Sequence, residues 1–197
     1  MQKSYDDKGL INEYALYAMR KLQGESKAYP YLRVLANDEK IFNSPGVNIS
    51  SISMTRINQE NRLLKAKEKA EDNILIWPYP EYHSHLDNLA LVNFKRVEET
   101  VDCLHRITLM IEKDFIPKRK FKGPIFLSKY DLWIDWREDY DLAENLTWLI
   151  YCLEGDMSVF QIANKLNLDF EKVLDILNKF YDKGLIEKKR IPIDFDR

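Results

Sequence analysis

The last third of the chain carries three capped amphipathic segments in close succession, and few folds accommodate that order. Apolar residues recur at helical spacing from Leu142 to about Leu153, and Glu154-Gly155-Asp156 then breaks the pattern. Ser158 follows as the N-cap of a second helix carrying Val159, Ile162, Ala163 and Leu166. Asp169 caps a third, which carries Phe170, Val173, Leu174, Ile176, Leu177, Phe180 and Tyr181 and ends at Gly184. Leu185-Ile186 and Ile191 to Phe195 read as strands. Three helices followed by a two-strand wing make the winged-helix plan.

Winged helices commonly lay a recognition helix in the DNA major groove, where phosphate contacts demand Lys and Arg. Here the third helix sets Asp169, Glu171, Asp175 and Asp182 against Lys172 and Lys179, and residues 142–197 hold eight basic and ten acidic residues. Only Lys188-Lys189-Arg190 on the wing is basic, which a solvated strand edge explains equally well. The whole chain, with 30 basic and 32 acidic residues and a net charge of −2, has no general attraction for nucleic acid or an anionic membrane. No run of about 18 apolar residues occurs, and Gln2-Lys3-Ser4-Tyr5-Asp6-Asp7 lacks the apolar core of a signal peptide. The expectation is a cytoplasmic protein with no membrane partner. Cys103 and Cys152 sit in apolar helical patterns and read as buried thiols of a reducing compartment.

Toward the N-terminus, Leu10, Ile11, Tyr14, Leu16, Tyr17, Met19 and Leu22 predict an amphipathic helix that Gly24 stops. Residues 28–56 are punctuated by Pro, Gly, Asn and Ser, and predict short strands or ordered loops around Tyr31–Leu35 and Ile49–Met54. Asp38 and Glu39, just before an Asn-Ser-Pro-Gly turn, read as turn and cap residues or as a site rim. Residues 59–72 are dense in charge and read as a solvated helix or an insertion. Val97, Val101, Leu104, Thr108 and Ile111 mark one face of a helix from about Lys95 to Lys113, with His105 on its surface. Pro117 and the basic run Lys118 to Lys122 then read as a linker, and Ile125–Leu127 with Leu132–Ile134 as a short hairpin or packed extended pair.

The residue types of a metal site converge once, at Pro80-Glu81-Tyr82-His83-Ser84-His85-Leu86-Asp87-Asn88-Leu89, where two of the three histidines stand beside an acid. A loop histidine can present a neutral imidazole nitrogen to a metal, and a nearby carboxylate can fix its tautomer. This stretch resembles the tyrosine-histidine-threonine-serine-x-aspartate-asparagine-leucine signature of the aminopeptidase-like zinc proteins encoded near polysaccharide-biosynthesis genes, relatives of the di-zinc aminopeptidases. Upstream, Asn37 to Asn48 and Ser51 to Arg56 are similar to the segment that precedes this motif in that family, apart from the charged insertion. Downstream, Gly123 to Trp136 and the helices from Leu142 resemble its extended segment and closing winged-helix domain.

The resemblance implies an α/β fold: the C-terminal part of a zinc-aminopeptidase-like three-layer domain over residues 1–116, a linker over 117–141, and a small winged-helix domain over 142–197. It implies metal-assisted amide hydrolysis, with zinc as the cofactor, His83 as the last zinc ligand, and Tyr82, Asp87 and Asn88 shaping the loop. His85 matches a position that is not a ligand. Family members take their remaining ligands and their glutamate base from an N-terminal half, which this chain is not expected to supply. A catalytic zinc needs three protein ligands and an open position for water. Activity in isolation is therefore not expected, whether the chain is a fragment, a gene remnant or half of a split enzyme. The expected partner is a polypeptide bringing the N-terminal half, or a second copy. Two other classes stand beside this one. A noncatalytic interaction module would use Trp133, Trp136, Tyr140, Trp148 and Tyr151 as anchors, and a DNA-binding regulator would use the winged helix.

Overall fold

A computed structural model describes residues 1–7, 9–24, 26–34, 37–55, 81 and 83–192. The chain divides into two compact units, Met1–Ile111 and Glu112–Ile193.

In the first unit, helix α1 spans Leu10–Gln23 and buries Tyr14, Ala15, Ala18 and Met19. Gly24 ends it at φ +72°, a left-handed conformation that favours glycine, and donates its N–H to the Arg20 carbonyl at 3.0 Å. The N-terminal segment is woven between two others. Gln2 exchanges backbone hydrogen bonds with Ser53 at 2.8 and 3.1 Å, while Lys3 donates to the Tyr29 carbonyl and Tyr29 donates to that of Met1, each at 2.9 Å. These bridges stand where short strands or ordered loops are predicted.

The Gln2 side chain is fully buried and satisfied: Oε1 accepts from the Val34 N–H at 2.9 Å and Nε2 donates to Glu39 Oε1 at 3.1 Å. Glu39 opens the short helix α2, Glu39–Phe42, and also accepts from the Asn37 N–H at 3.0 Å. Of the two readings for this acid, structural support is the one its contacts describe. Asn43, also buried, donates to the carbonyls of Glu39 and Ser51 and accepts from the N–H groups of Tyr5 and Ser51.

Helix α3 spans Phe94–Lys113. Its buried residues are Cys103, Ile107 and Met110, a stripe lying roughly 110° round the helix from the predicted apolar face. That predicted face is exposed: Val97 at 49%, Val101 at 57%, Leu104 at 48% and Ile111 at 47%. The charge-dense stretch at 59–72 lies outside the described residues.

The second unit holds helices α4 (Tyr140–Tyr151), α5 (Val159–Lys165) and α6 (Phe170–Asp182), with strands β1 (Ile116–Arg119) and β2 (Ile186–Lys189). The strands pair antiparallel, Ile116 opposite Lys189 and Arg119 opposite Ile186. Among the described residues this is the one sheet. β2 pairs with residues read as the domain boundary and linker; of the second expected strand, Ile191 and Pro192 carry no strand and residues 193–195 lie outside the described residues. Pro117 is tolerated because a two-stranded sheet is all edge. Arg119 adds a bidentate pair to Glu154 at 2.9 and 3.1 Å, and its N–H reaches the Leu153 carbonyl at 2.9 Å.

Of the short hairpin or packed extended pair expected at 125–134, the hairpin is corrected, since neither segment forms a strand. Leu127–Tyr130 is a 3₁₀ turn closed by Asp131 at φ +59°, and the Leu132 N–H donates to the Leu127 carbonyl at 3.0 Å. Local turn bonds through Ser128-Lys129-Tyr130-Asp131 consume the backbone groups that a strand ladder would need.

α6 buries Phe170, Val173, Leu174, Ile176, Leu177 and Phe180, a 3.6-residue stripe, and packs on α5. Phe160 and Phe170 meet edge-on, centroids 6.0 Å apart. The start of α5 is fully accounted for. Ser158 N–H donates to Gln161 Oε1, Val159 N–H to the Phe115 carbonyl, Phe160 N–H to Asp114 Oδ1 and Gln161 N–H to Ser158 Oγ. Asp114, itself buried, thus holds β1's approach and the α5 terminus together. Asp139 caps α4 by accepting from the Leu142 N–H, and its carboxylate meets Lys172 Nζ at 2.6 Å. The bond to Lys172, ahead of the backbone bond, holds the Asp139 carboxyl below the usual carboxylate range despite opposing desolvation. Both cysteines are buried and neither is in a disulfide.

Candidate functional site

The histidine loop is built by two short polar side chains. Ser84 donates its N–H and its hydroxyl to the Glu81 carbonyl at 3.0 and 2.7 Å, and its Oγ accepts from the Leu86 N–H at 3.2 Å. Asp87 N–H closes onto the Ser84 carbonyl at 3.1 Å. Asn88 then caps a 3₁₀ turn over Leu89–Leu91, its Oδ1 accepting from the Ala90 N–H at 3.0 Å and its Nδ2 donating to the Leu86 carbonyl at 3.0 Å. These are Asx and Ser turn bonds, available to Ser-x-Leu and Asn-x-Ala at this spacing.

The loop places His83 at φ +62°, in the left-handed region that non-glycine residues enter at a cost. His83, His85, Asp87 and Asn88 are all exposed. Tyr82 lies outside the described residues. Among the described residues, no three His, Cys, Asp or Glu side chains gather as a group able to hold a metal. His83, His85 and Asp87 stand in this loop at two-residue spacing, and a catalytic zinc takes three protein ligands. His105 lies exposed on α3. Sequence reading passed over Ser84, the residue that folds the loop.

Lys188 and Lys189 on β2 are engaged within their own unit. Lys188 Nζ donates to Asn178 Oδ1 at 2.7 Å and lies over the rings of Tyr181 and Phe115 at 4.4 and 4.7 Å. Lys189 stands 3.9 Å from Glu187. No helix of the described residues is long and apolar enough to cross a membrane.

A family model described as "Domain of unknown function (DUF4910)" matches residues 1–114. Among solved structures, the chain is similar to the crystal structure of a "putative peptidase" from Clostridium acetobutylicum, with a TM-score of 0.68 and 17% sequence identity. The match covers 95% of this chain and 38% of that one, so this chain spans well under half the length of that protein. At that identity the likeness shows the fold alone. None of the curated proteins matches.

Proposed function

We propose, for a chain that belongs to the family described as Domain of unknown function (DUF4910), a role as the C-terminal share of a peptidase-like zinc hydrolase. In this reading His83 is one metal ligand, presented by a loop that Asn88 caps and Asp87 and Tyr82 flank. The remaining ligands and the general base come from a segment outside this chain. Residues 142–197 serve as an appended winged-helix unit. The motif at Pro80–Leu89 supports membership of the aminopeptidase-like zinc proteins of polysaccharide-biosynthesis loci, and the buried cysteines Cys103 and Cys152, neither in a disulfide, fit a cytoplasmic setting. Among the described residues no three donors gather as a zinc site, and in this reading amide hydrolysis belongs to the assembled protein.

One observation carries this reading: α3 is apolar on two faces and buries only one. From Leu86 to Ile111, nine large apolar side chains are each at least 41% exposed. Five of them, Phe94, Val97, Val101, Leu104 and Ile111, lie on α3 and the other four on the segment leading into it, and exposed apolar side chains in this number mark an interaction surface. A helix with two apolar sides, here roughly 110° apart, fits a place between two layers of a larger domain. The surface is continuous in sequence with the His83 loop, as expected if one added layer covers α3 and completes the metal site.

The test is co-expression with the polypeptide encoded immediately upstream. The proposal expects a stable complex that the substitution Leu104→Glu disrupts while the isolated variant keeps its helicity and unfolding midpoint. Failure of the two polypeptides to associate, or association indifferent to Leu104→Glu, overturns it.

A further inference from the structure

The second unit carries an aromatic surface with no part in the peptidase reading. Trp133, Trp136, Tyr140 and Glu144 line an open groove of about 240 Å³. Trp133 is 70% exposed, Trp136 60% and Tyr140 59%. Large exposed aromatics are costly to leave in water and are enriched where proteins bind. Beyond the groove, α4 carries Tyr140, Glu144, Trp148 and Tyr151 on one helix face at spacings of four, four and three residues. Trp148 and Tyr151 are 62% and 68% exposed, and their rings lie 6.0 Å apart. From Tyr140 to Tyr151 the stripe runs roughly 16 Å along the helix axis, longer than one small ligand needs.

Charge says what fits there. Residues 131–144 contain six acids, Asp131, Asp135, Glu138, Asp139, Asp141 and Glu144, against the single base Arg137. Of these, Asp139 is matched by Lys172 at 2.6 Å. Arg137 lies over the Trp136 ring at 5.4 Å, which shows that this ring accepts a cation on its face.

We propose that this groove docks a basic peptide, with a lysine side chain entering between Trp133, Trp136 and Tyr140, its ammonium toward Glu144, and flanking residues lying along Trp148 and Tyr151. The site is independent of the zinc reading and stands or falls separately.

The experiment uses the full chain and a fluorescein-labelled Gly-Ser-Lys repeat peptide, read by fluorescence anisotropy at low and physiological ionic strength. Saturable binding is expected, weakened about tenfold or more by Trp136→Ala and by Glu144→Gln, and lost when the lysines are acetylated. Both positions are exposed, and circular dichroism and the unfolding midpoint verify that each variant folds. Three results overturn the proposal: no saturable binding, equal binding of the acetylated peptide, or unchanged affinity in the Trp136 variant, which would reduce the effect to diffuse electrostatics. Concentration-dependent dimerisation that Trp148→Ala abolishes also overturns it, because the stripe's occupant is then a second copy.

Discussion

Asp114→Ala removes the acceptor that joins the entry to β1 with the start of α5. Asp114 Oδ1 takes the N–H groups of Phe115 at 3.0 Å and Phe160 at 3.1 Å. Both phenylalanines are buried, at 7% and 0% exposure, so water does not readily replace the carboxylate. A hydrogen bond to a charged group contributes about 1.5–3 kcal/mol, and loss of an N-cap costs about 0.5–2 kcal/mol. The two bonds share one carboxylate and do not add in full, which sets the expected loss at about 2–3 kcal/mol. Asp114→Asn keeps an oxygen at the same place without the charge and costs about 1 kcal/mol. Urea unfolding followed by circular dichroism measures both. With a slope of about 2 kcal/mol per molar, the alanine variant shifts the midpoint down by about 1–1.5 M. A shift under about 0.3 M, or an asparagine variant as damaged as the alanine one, refutes the reasoning.

Three further outcomes follow from the geometry. Asp139 has a folded-state pKa below its unfolded value, so its contribution is present above the unfolded carboxylate range near 3.9 and is lost as pH falls toward the folded value. The gap in urea midpoint between the native chain and Asp139→Asn is accordingly wide at pH 6 and narrows below about pH 4; a gap independent of pH contradicts that linkage. Gly155→Ala forces a side chain onto φ +87° with its Cβ 3.1 Å from Lys118 Cβ, and is expected to cost about 1–2 kcal/mol in the same assay. His83→Gly relieves a left-handed residue at φ +62° and is expected to raise stability by up to about 1 kcal/mol, so a loss on that substitution would show that His83 supports the fold.

The helices of the second unit were legible because their ends are written in local chemistry. Ser158 with Gln161 forms a capping box, Asp169 accepts from the Glu171 N–H, and α6 closes before Gly184 at φ +71°. α4 begins at Tyr140 rather than Leu142 because Asp139 supplies its cap, a signal the apolar pattern alone does not carry. β1 was not legible. Ile-Pro-Lys-Arg has the proline and charge of a linker, and its partner β2 lies some seventy residues further on, where only tertiary packing brings it. α3 was legible as a helix, but with apolar residues on two sides the sequence could not say which side this chain buries. The histidine loop's Ser and Asn turn chemistry was readable at Asn88 and overlooked at Ser84.

Zinc content of the co-purified complex, measured by inductively coupled plasma mass spectrometry on the native chain and on His83→Ala and His85→Ala, tests the central claim most directly. The account predicts stoichiometric zinc in the native and His85→Ala complexes and a marked loss in His83→Ala. Zinc that survives His83→Ala, or a native complex that assembles and binds none, contradicts it.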